Sequence, residues 1–179
     1  MTHAENKVEW CLKKAEKDLG DGLHRGLIKV NPSVVLAQKH LEKAEHNLKA
    51  AQFFNDNNYS DWSASGFFYC IYHGLLAIIR KNGYESRNQE CTLAVVEMLI
   101  ENGTIALDKK FLNMLNIAKA KDLEHSLIKV REEFQYGTDT SYKEIEEFEY
   151  FVKICQEMIN LAKGIIISGE QKENNKDRQ

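Results

Sequence analysis

The sequence predicts an all-α fold, and three observations carry that reading. Its 179 residues include a single proline. Runs of β-branched residues are few, while Ala, Leu, Glu and Lys, which favour helices, are abundant. Apolar residues recur at threes and fours, and in the last long segment they do so without a slip, which predicts near-antiparallel packing against a long neighbour.

Residues 4–19 read as a first helix, with Val8, Cys11, Leu12, Ala15 and Leu19 on one stripe. Gly20, Gly22 and Gly26 then break it. Asn31-Pro32-Ser33 is a helix start signal, with proline near the first helical position. The second helix runs to about Phe54. Its seam of Ala37, Leu41, Ala44, Leu48 and Ala51 lets another helix approach closely, and Asn55–Asn58 ends it as a polar turn. The third helix begins at Ser60-Asp61. Phe67, Phe68, Tyr69, Ile71, Tyr72, Leu75, Leu76, Ile78 and Ile79 surround most of its circumference, the pattern of a central helix or a subunit interface. Gly83 closes it by offering a left-handed position. A fourth helix spans about Asn88 to Ile100 and stops at Asn102-Gly103.

A fifth helix, capped by Asp108, carries Phe111, Leu115, Leu123, Leu127, Val130 and Phe134. Ser141-x-x-Glu144 is a capping-box pattern opening the last helix, whose stripe is Ile145, Phe148, Val152, Cys155, Ile159, Ala162 and Ile166. The chain is thus organised as an N-terminal helix and glycine-containing linker (1–30), a helical bundle (31–168) and a polar tail (169–179). The tail has no apolar residue to offset the entropy of ordering and is expected to be disordered.

A net charge of −3 argues against a broad basic surface for duplex nucleic acid, while leaving room for a local cationic site. No apolar run approaches the roughly 20 residues a membrane span needs. Met1–Glu5 lacks a basic start followed by an apolar stretch, so no secretory signal is expected. The four cysteines form no CxxC pair and suit a reducing interior, with Cys70 and Cys155 as small core residues. The expected localisation is cytoplasmic.

The most chemically suggestive stretch is Lys129–Gly137, with Arg131 and Tyr136 five residues apart before a glycine. Five residues turn about 500°, leaving the two side chains roughly 140° apart unless the helix ends near Gly137. A cation beside an aromatic hydroxyl suits a phosphate-bearing ligand. The structural alternative is that Arg131 pairs with a carboxylate and Tyr136 packs at the helix end. His40 and His46 turn about 240° from one another and read as solvent-exposed surface rather than a metal site. His73, among Tyr69, Tyr72 and Leu76, reads as a buried imidazole bonded to a carbonyl or a tyrosine. His125 faces away from Arg131. Glu144, Glu146, Glu147 and Glu149 read as a solvated first turn favoured by the helix dipole. HExxH, GxGxxG, a phosphate-cradling Gly-Lys-Ser/Thr loop and Gly-x-Ser-x-Gly are absent. Neither a metal nor a cofactor is expected.

Three segments together resemble the HEPN domain, an all-α family named for its occurrence in higher eukaryotes and prokaryotes and for nucleotide binding. His40–Ala51 resembles its opening helix. Phe67-Phe68-Tyr69-Cys70-Ile71-Tyr72-His73-Gly74-Leu75-Leu76-Ala77 is similar to its Tyr-Tyr-Ala-x-Phe-His segment. Arg131-Glu132-Glu133-Phe134-Gln135-Tyr136-Gly137 resembles the Arg-x3-Asp-Tyr-Gly ending of one prokaryotic branch. The resemblance covers about residues 35–165.

It implies an up-and-down helical bundle that pairs into a homodimer. Many members are metal-independent ribonucleases with an Arg-x4-6-His motif, in which the arginine holds the scissile phosphate and the histidine moves protons. Arg131 matches the arginine, but Tyr136 stands at the histidine's spacing and Glu132 follows where a polar residue is usual. A free tyrosine ionises near pH 10, so only about one phenol in a thousand is charged at pH 7.

The resemblance therefore implies a nucleotide- or RNA-binding module first, with Arg131, Tyr136 and His73 as candidate ligand-binding residues. A ribonuclease using Arg131 with Tyr136 or His73 is the alternative, and a non-catalytic dimerisation scaffold is the second. Many prokaryotic members act beside a nucleotidyltransferase partner in toxin–antitoxin-type pairs. In some pairs the partner adds nucleotide to a tyrosine, for which Tyr136 and Tyr142 are candidates by position.

Overall fold

The structure, a computed structural model, describes residues 2–20, 22, 26–122, 125–142 and 145–168. The expected polar tail 169–179, Leu123 of the expected fifth helix and Glu144 of the capping box lie outside the described residues. The chain is all-α, as predicted. Its elements are α1 (His3–Gly20), β1 (Leu27–Lys29), α2 (Val34–Asp56), α3 (Ser60–Lys81), β2 (Tyr84–Ser86), α4 (Gln89–Glu101), α5 (Lys110–Met114), α6 (Leu127–Tyr136) and α7 (Ile145–Ile167), with a 3-10 turn at Ile117–Asp122. They divide into two compact units. Among the described residues, one holds those up to His40, those of 75–108 and those of 162–168, and the other holds those of 41–74 and 109–161.

In the first unit, α1 turns Ala4, Val8, Cys11 and Ala15 inward, while Leu19 of the expected stripe is exposed. Cys11 is joined to Cys91 on α4 by a disulfide with the Cα atoms 5.9 Å apart. The sequence reading, which found no CxxC pair, did not foresee this pairing. Two cysteines remain free, Cys70 and Cys155, and both are buried.

Asn88 caps α4, its side-chain oxygen accepting the Cys91 N–H at 3.0 Å. A Cβ on Gly26 would lie 2.7 Å from the Ala15 Cβ, so only glycine lets the chain return this close to α1. It then enters β1, which pairs antiparallel with β2 in the register Leu27↔Ser86, Ile28↔Glu85 and Lys29↔Tyr84. The ribbon was not expected, because three-residue strands are too short to show alternation. Gly83 takes the left-handed conformation foreseen for it, at φ +81°. Its carbonyl accepts the Val30 N–H at 2.9 Å.

The second unit is built on the alanine seam and on phenylalanines. Leu41, Ala44, Leu48 and Ala51 are all buried. The Ser63 hydroxyl donates to the Ala51 carbonyl at 2.7 Å. A Cβ on Gly66 would stand 2.8 Å from the Ala51 Cβ and 3.0 Å from the Asn47 carbonyl oxygen, so small residues set this helix separation. Phe67 is enclosed by Phe148 and Phe151, with ring centroids at 5.2 and 5.8 Å. Nearby, the Cys155 thiol approaches the Phe67 carbonyl at 3.6 Å. Burial, and next the hydrogen bond with Cys70, push that thiol well above its usual pKa.

Two expectations fail here. The single fifth helix is instead α5, a 3-10 turn and α6. The Asn116 side chain accepts the Ala118 N–H at 3.0 Å, a local turn that competes with continuing the helix. Lys109 rather than Asp108 occupies the cap position of α5, and it makes no side-chain cap bond. The stripe on α7 is also displaced at its start. Ile145 is 76 % exposed, whereas Phe151, Ile154 and Met158 are buried, because the cluster around Phe67 draws in Phe151 rather than Val152.

α3 is also long and apolar enough to cross a bilayer by length and composition, contrary to the expectation that no run approaches that size. Its best window has mean hydropathy 1.3, and 67 % of that window is buried within the protein, the pattern of a core helix.

Candidate functional site

On α3, Trp62, Ser65 and Tyr69 recur at i, i+3 and i+7, so they share one face. That face points outward, with Trp62 60 % and Tyr69 47 % exposed. On α6, Arg131, Phe134 and Gln135 share a face by the same spacing rule. Within the second unit these two sets, with Asp61, line a cavity of about 240 Å³. Beneath it the buried Phe68 ring lies 4.1 Å from the guanidinium carbon of Arg131. Phe68 in turn meets Tyr69 edge-on at 5.3 Å.

The state of Arg131 is unusual. Its Nε is buried and has no hydrogen-bond partner among the described residues. An unsatisfied buried donor costs about 1–3 kcal/mol, partly offset here by the cation–π contact. The carboxylate partner that the structural alternative requires is absent among the described residues. A ligand oxygen would satisfy the orphaned donor, and the exposed rings offer flat surfaces to a base.

The other sequence candidates do not join this cavity. Tyr136 is the last residue of α6 and is 79 % exposed. It follows Arg131 at the spacing that turns the two apart, and it is not among the lining residues. The helix ends at Gly137, whose N–H donates to the Glu133 carbonyl at 2.8 Å. His73 is half-buried beside Tyr72, with ring centroids 6.4 Å apart, and it also stands outside the lining. Tyr142 packs edge-on against Phe134 at 4.9 Å. Burial first, then the Glu147 charge, push its phenol far above the usual range.

His40, expected on the surface, is instead half-buried in the first unit. It lines a cavity of about 230 Å³ with Arg80, Tyr84 and Glu85. Burial and then Arg80 lower its pKa below 6.5, and Glu85 opposes them. His125 sits 3.8 Å from a Glu147 carboxylate oxygen and 4.5 Å from the Tyr150 ring centroid. Among the described residues no group of three His, Cys, Asp or Glu side chains is placed to hold a metal ion.

Sequence reasoning missed Trp62, Ser65 and Gln135 as site residues and treated Tyr69 and Phe134 as apolar packing. The signal was the spacing of Trp62, Ser65 and Tyr69, masked by the phenylalanines and isoleucines that fill the rest of α3. No curated protein matches the chain. A family model of the HEPN domain matches residues 37–165, from the alanine seam on α2 almost to the end of α7. That match spans more than half of the sequence and includes both faces of the Arg131 cavity: the chain belongs to the HEPN domain family.

Proposed function

We propose that this HEPN domain binds a nucleotide or single-stranded RNA in the Arg131 cavity. The observation that carries the reading is the buried Arg131 Nε, held over Phe68 without a hydrogen-bond partner among the described residues. Arg131 grips one phosphate, and Trp62 or Tyr69 stacks on the base. Asp61, Ser65 and Gln135 supply polar groups to the base edge. The Asp61 carboxylate disfavours additional phosphates, so a monophosphate or one internucleotide phosphate fits best.

A ribonuclease would place its proton-transfer group beside the arginine, and neither Tyr136 nor His73 lines the cavity; binding without cleavage is the better reading. In this proposal the domain works in the cytoplasm as a homodimer beside a nucleotidyltransferase-type partner. Tyr136 is the better acceptor for a transferred nucleotide, because it is exposed at a helix end while the Tyr142 phenol is buried.

Titrating AMP and a short unstructured RNA against wild type and Arg131→Met tests the reading. The expected result is at least tenfold weaker binding in the variant, with stability within about 1 kcal/mol because the lost cation–π contact is offset by removal of the unsatisfied Nε–H. Equal binding by the two proteins would sink the site. RNA cleavage without metal by wild type, lost in Arg131→Met, would restore the enzyme reading.

A further inference from the structure

A cavity of about 430 Å³ in the first unit is lined by Trp10, Cys11, Lys14, Gly26, Arg87 and Cys91, among others. Both members of the Cys11–Cys91 disulfide therefore face it, although the two residues are only 1 % and 4 % exposed. We propose that this disulfide is a reversible clasp on α1, opened by a low-molecular-weight thiol that enters the cavity.

Accessibility selects the class of reductant. A protein dithiol must bring its own surface against the sulfur it attacks, and neither cysteine stands at the surface. A thiol of a few atoms reaches them through the cavity. Lys14 and Arg87 in the lining are balanced by Asp18 and Glu90, so the cavity sets no strong charge preference.

Position selects the direction of attack. Cys91 is the third residue of α4, where the partial positive charge of the helix N-terminus favours a thiolate. Cys11 lies in the middle of α1 and has no such support. The better leaving group departs faster. The entering thiolate thus bonds to Cys11 Sγ, the Cys11–Cys91 bond breaks, and its electron pair leaves on Cys91 Sγ. A second equivalent of the thiol attacks the mixed disulfide and releases the small symmetrical disulfide together with the Cys11 thiolate, which takes a proton from water. The protein disulfide is reduced and two small thiols are oxidised.

Opening the bond leaves α1 held to its neighbours by small side chains. Besides Cys11, α1 buries only Ala4, Val8 and Ala15. Its ion pair to α4, Lys7 with Glu90 at 3.2 Å, has an exposed carboxylate and adds little. α1 also precedes the family match, which begins at residue 37, so its release leaves the matched segment intact.

The test treats the oxidised full chain with 2-mercaptoethanol under native conditions, maps adducts by mass spectrometry after acid quench, and follows amide hydrogen exchange. The expected result is a mixed disulfide on Cys11 with Cys70 and Cys155 unmodified. Exchange over His3–Gly20 should become at least tenfold faster, while that over Ile145–Ile167 changes less than twofold. Adduct first on Cys91, reduction that needs denaturant or a thioredoxin-type protein, or unchanged exchange in α1 would each overturn the proposal. None of these readouts depends on ligand binding at Arg131.

Discussion

The largest side chain that α1 buries is a valine, and α1 is held to α4 by a covalent bond. In the other unit Phe67, Phe111, Phe151 and Met158 are fully enclosed, and no disulfide is present among its described residues. At the contact of α1 with α4, small side chains allow close approach and a cross-link adds strength, while the rest of that unit encloses Leu27, Leu75, Ile78 and Ile79. The second unit draws on apolar area, of order 25 cal/mol per Å² removed from water, and can therefore carry the unsatisfied Nε–H of Arg131 without a covalent tie. Each unit accordingly has its own point of failure.

The largest expected effect is on the aromatic side. Phe67→Ala should lower stability by about 4 kcal/mol in urea titration, through lost burial and the cavity left behind; a loss under about 1 kcal/mol would mean that the cluster does not hold the unit. Replacing Cys11 and Cys91 together by alanine should lower stability by about 3 kcal/mol, chiefly by freeing the unfolded chain. If the double variant matches wild type, the contrast between the units collapses.

Smaller changes sharpen the comparison. Gly66→Ala must move backbone as well as Ala51 and should destabilise by about 1–3 kcal/mol. Gly74→Ala meets only the flexible Met158 side chain and gains helix propensity, so its unfolding free energy in urea titration should stay within about 1 kcal/mol of wild type.

The smallest effect belongs to His40, whose folded pKa lies below the usual 6.5. The unfolded chain takes up that proton first as pH falls. The His40 contribution is thus fully present above about pH 6.5 and declines as pH drops through the folded pKa. Thermal melts between pH 7.5 and 5 should show this slope in wild type and a shallower one in His40→Gln.

Helices α1 to α4 were legible because their stripes are long and their ends carry the Asn-Pro-Ser, Gly83 and Asn102-Gly103 signals. The break after α5 was not, because Leu115, Leu123 and Leu127 continue the helical period while a single asparagine, Asn116, diverts the backbone. The ribbon and the disulfide join residues far apart in the chain, and nothing local in Leu27–Lys29 or around Cys91 names a partner. At the candidate site the motif pointed to Arg131 from sequence alone. Its surroundings on α3 were hidden, since an exposed Trp62 and a buried Phe67 contribute equally to an apolar count. Only packing tells them apart.

The cross-link between Cys11 and Cys91 also closes a covalent ring over 80 residues, taking in α2 and α3. A chain pulled from its two ends cannot pay out that segment while the bond is intact. At roughly 3.3–3.6 Å per extended residue, about 260–290 Å of contour stays hidden from the force. A tether held at constant load would lengthen by that amount in a single step when a thiol severs the ring, so the oxidation state of one bond sets how far the molecule can be stretched.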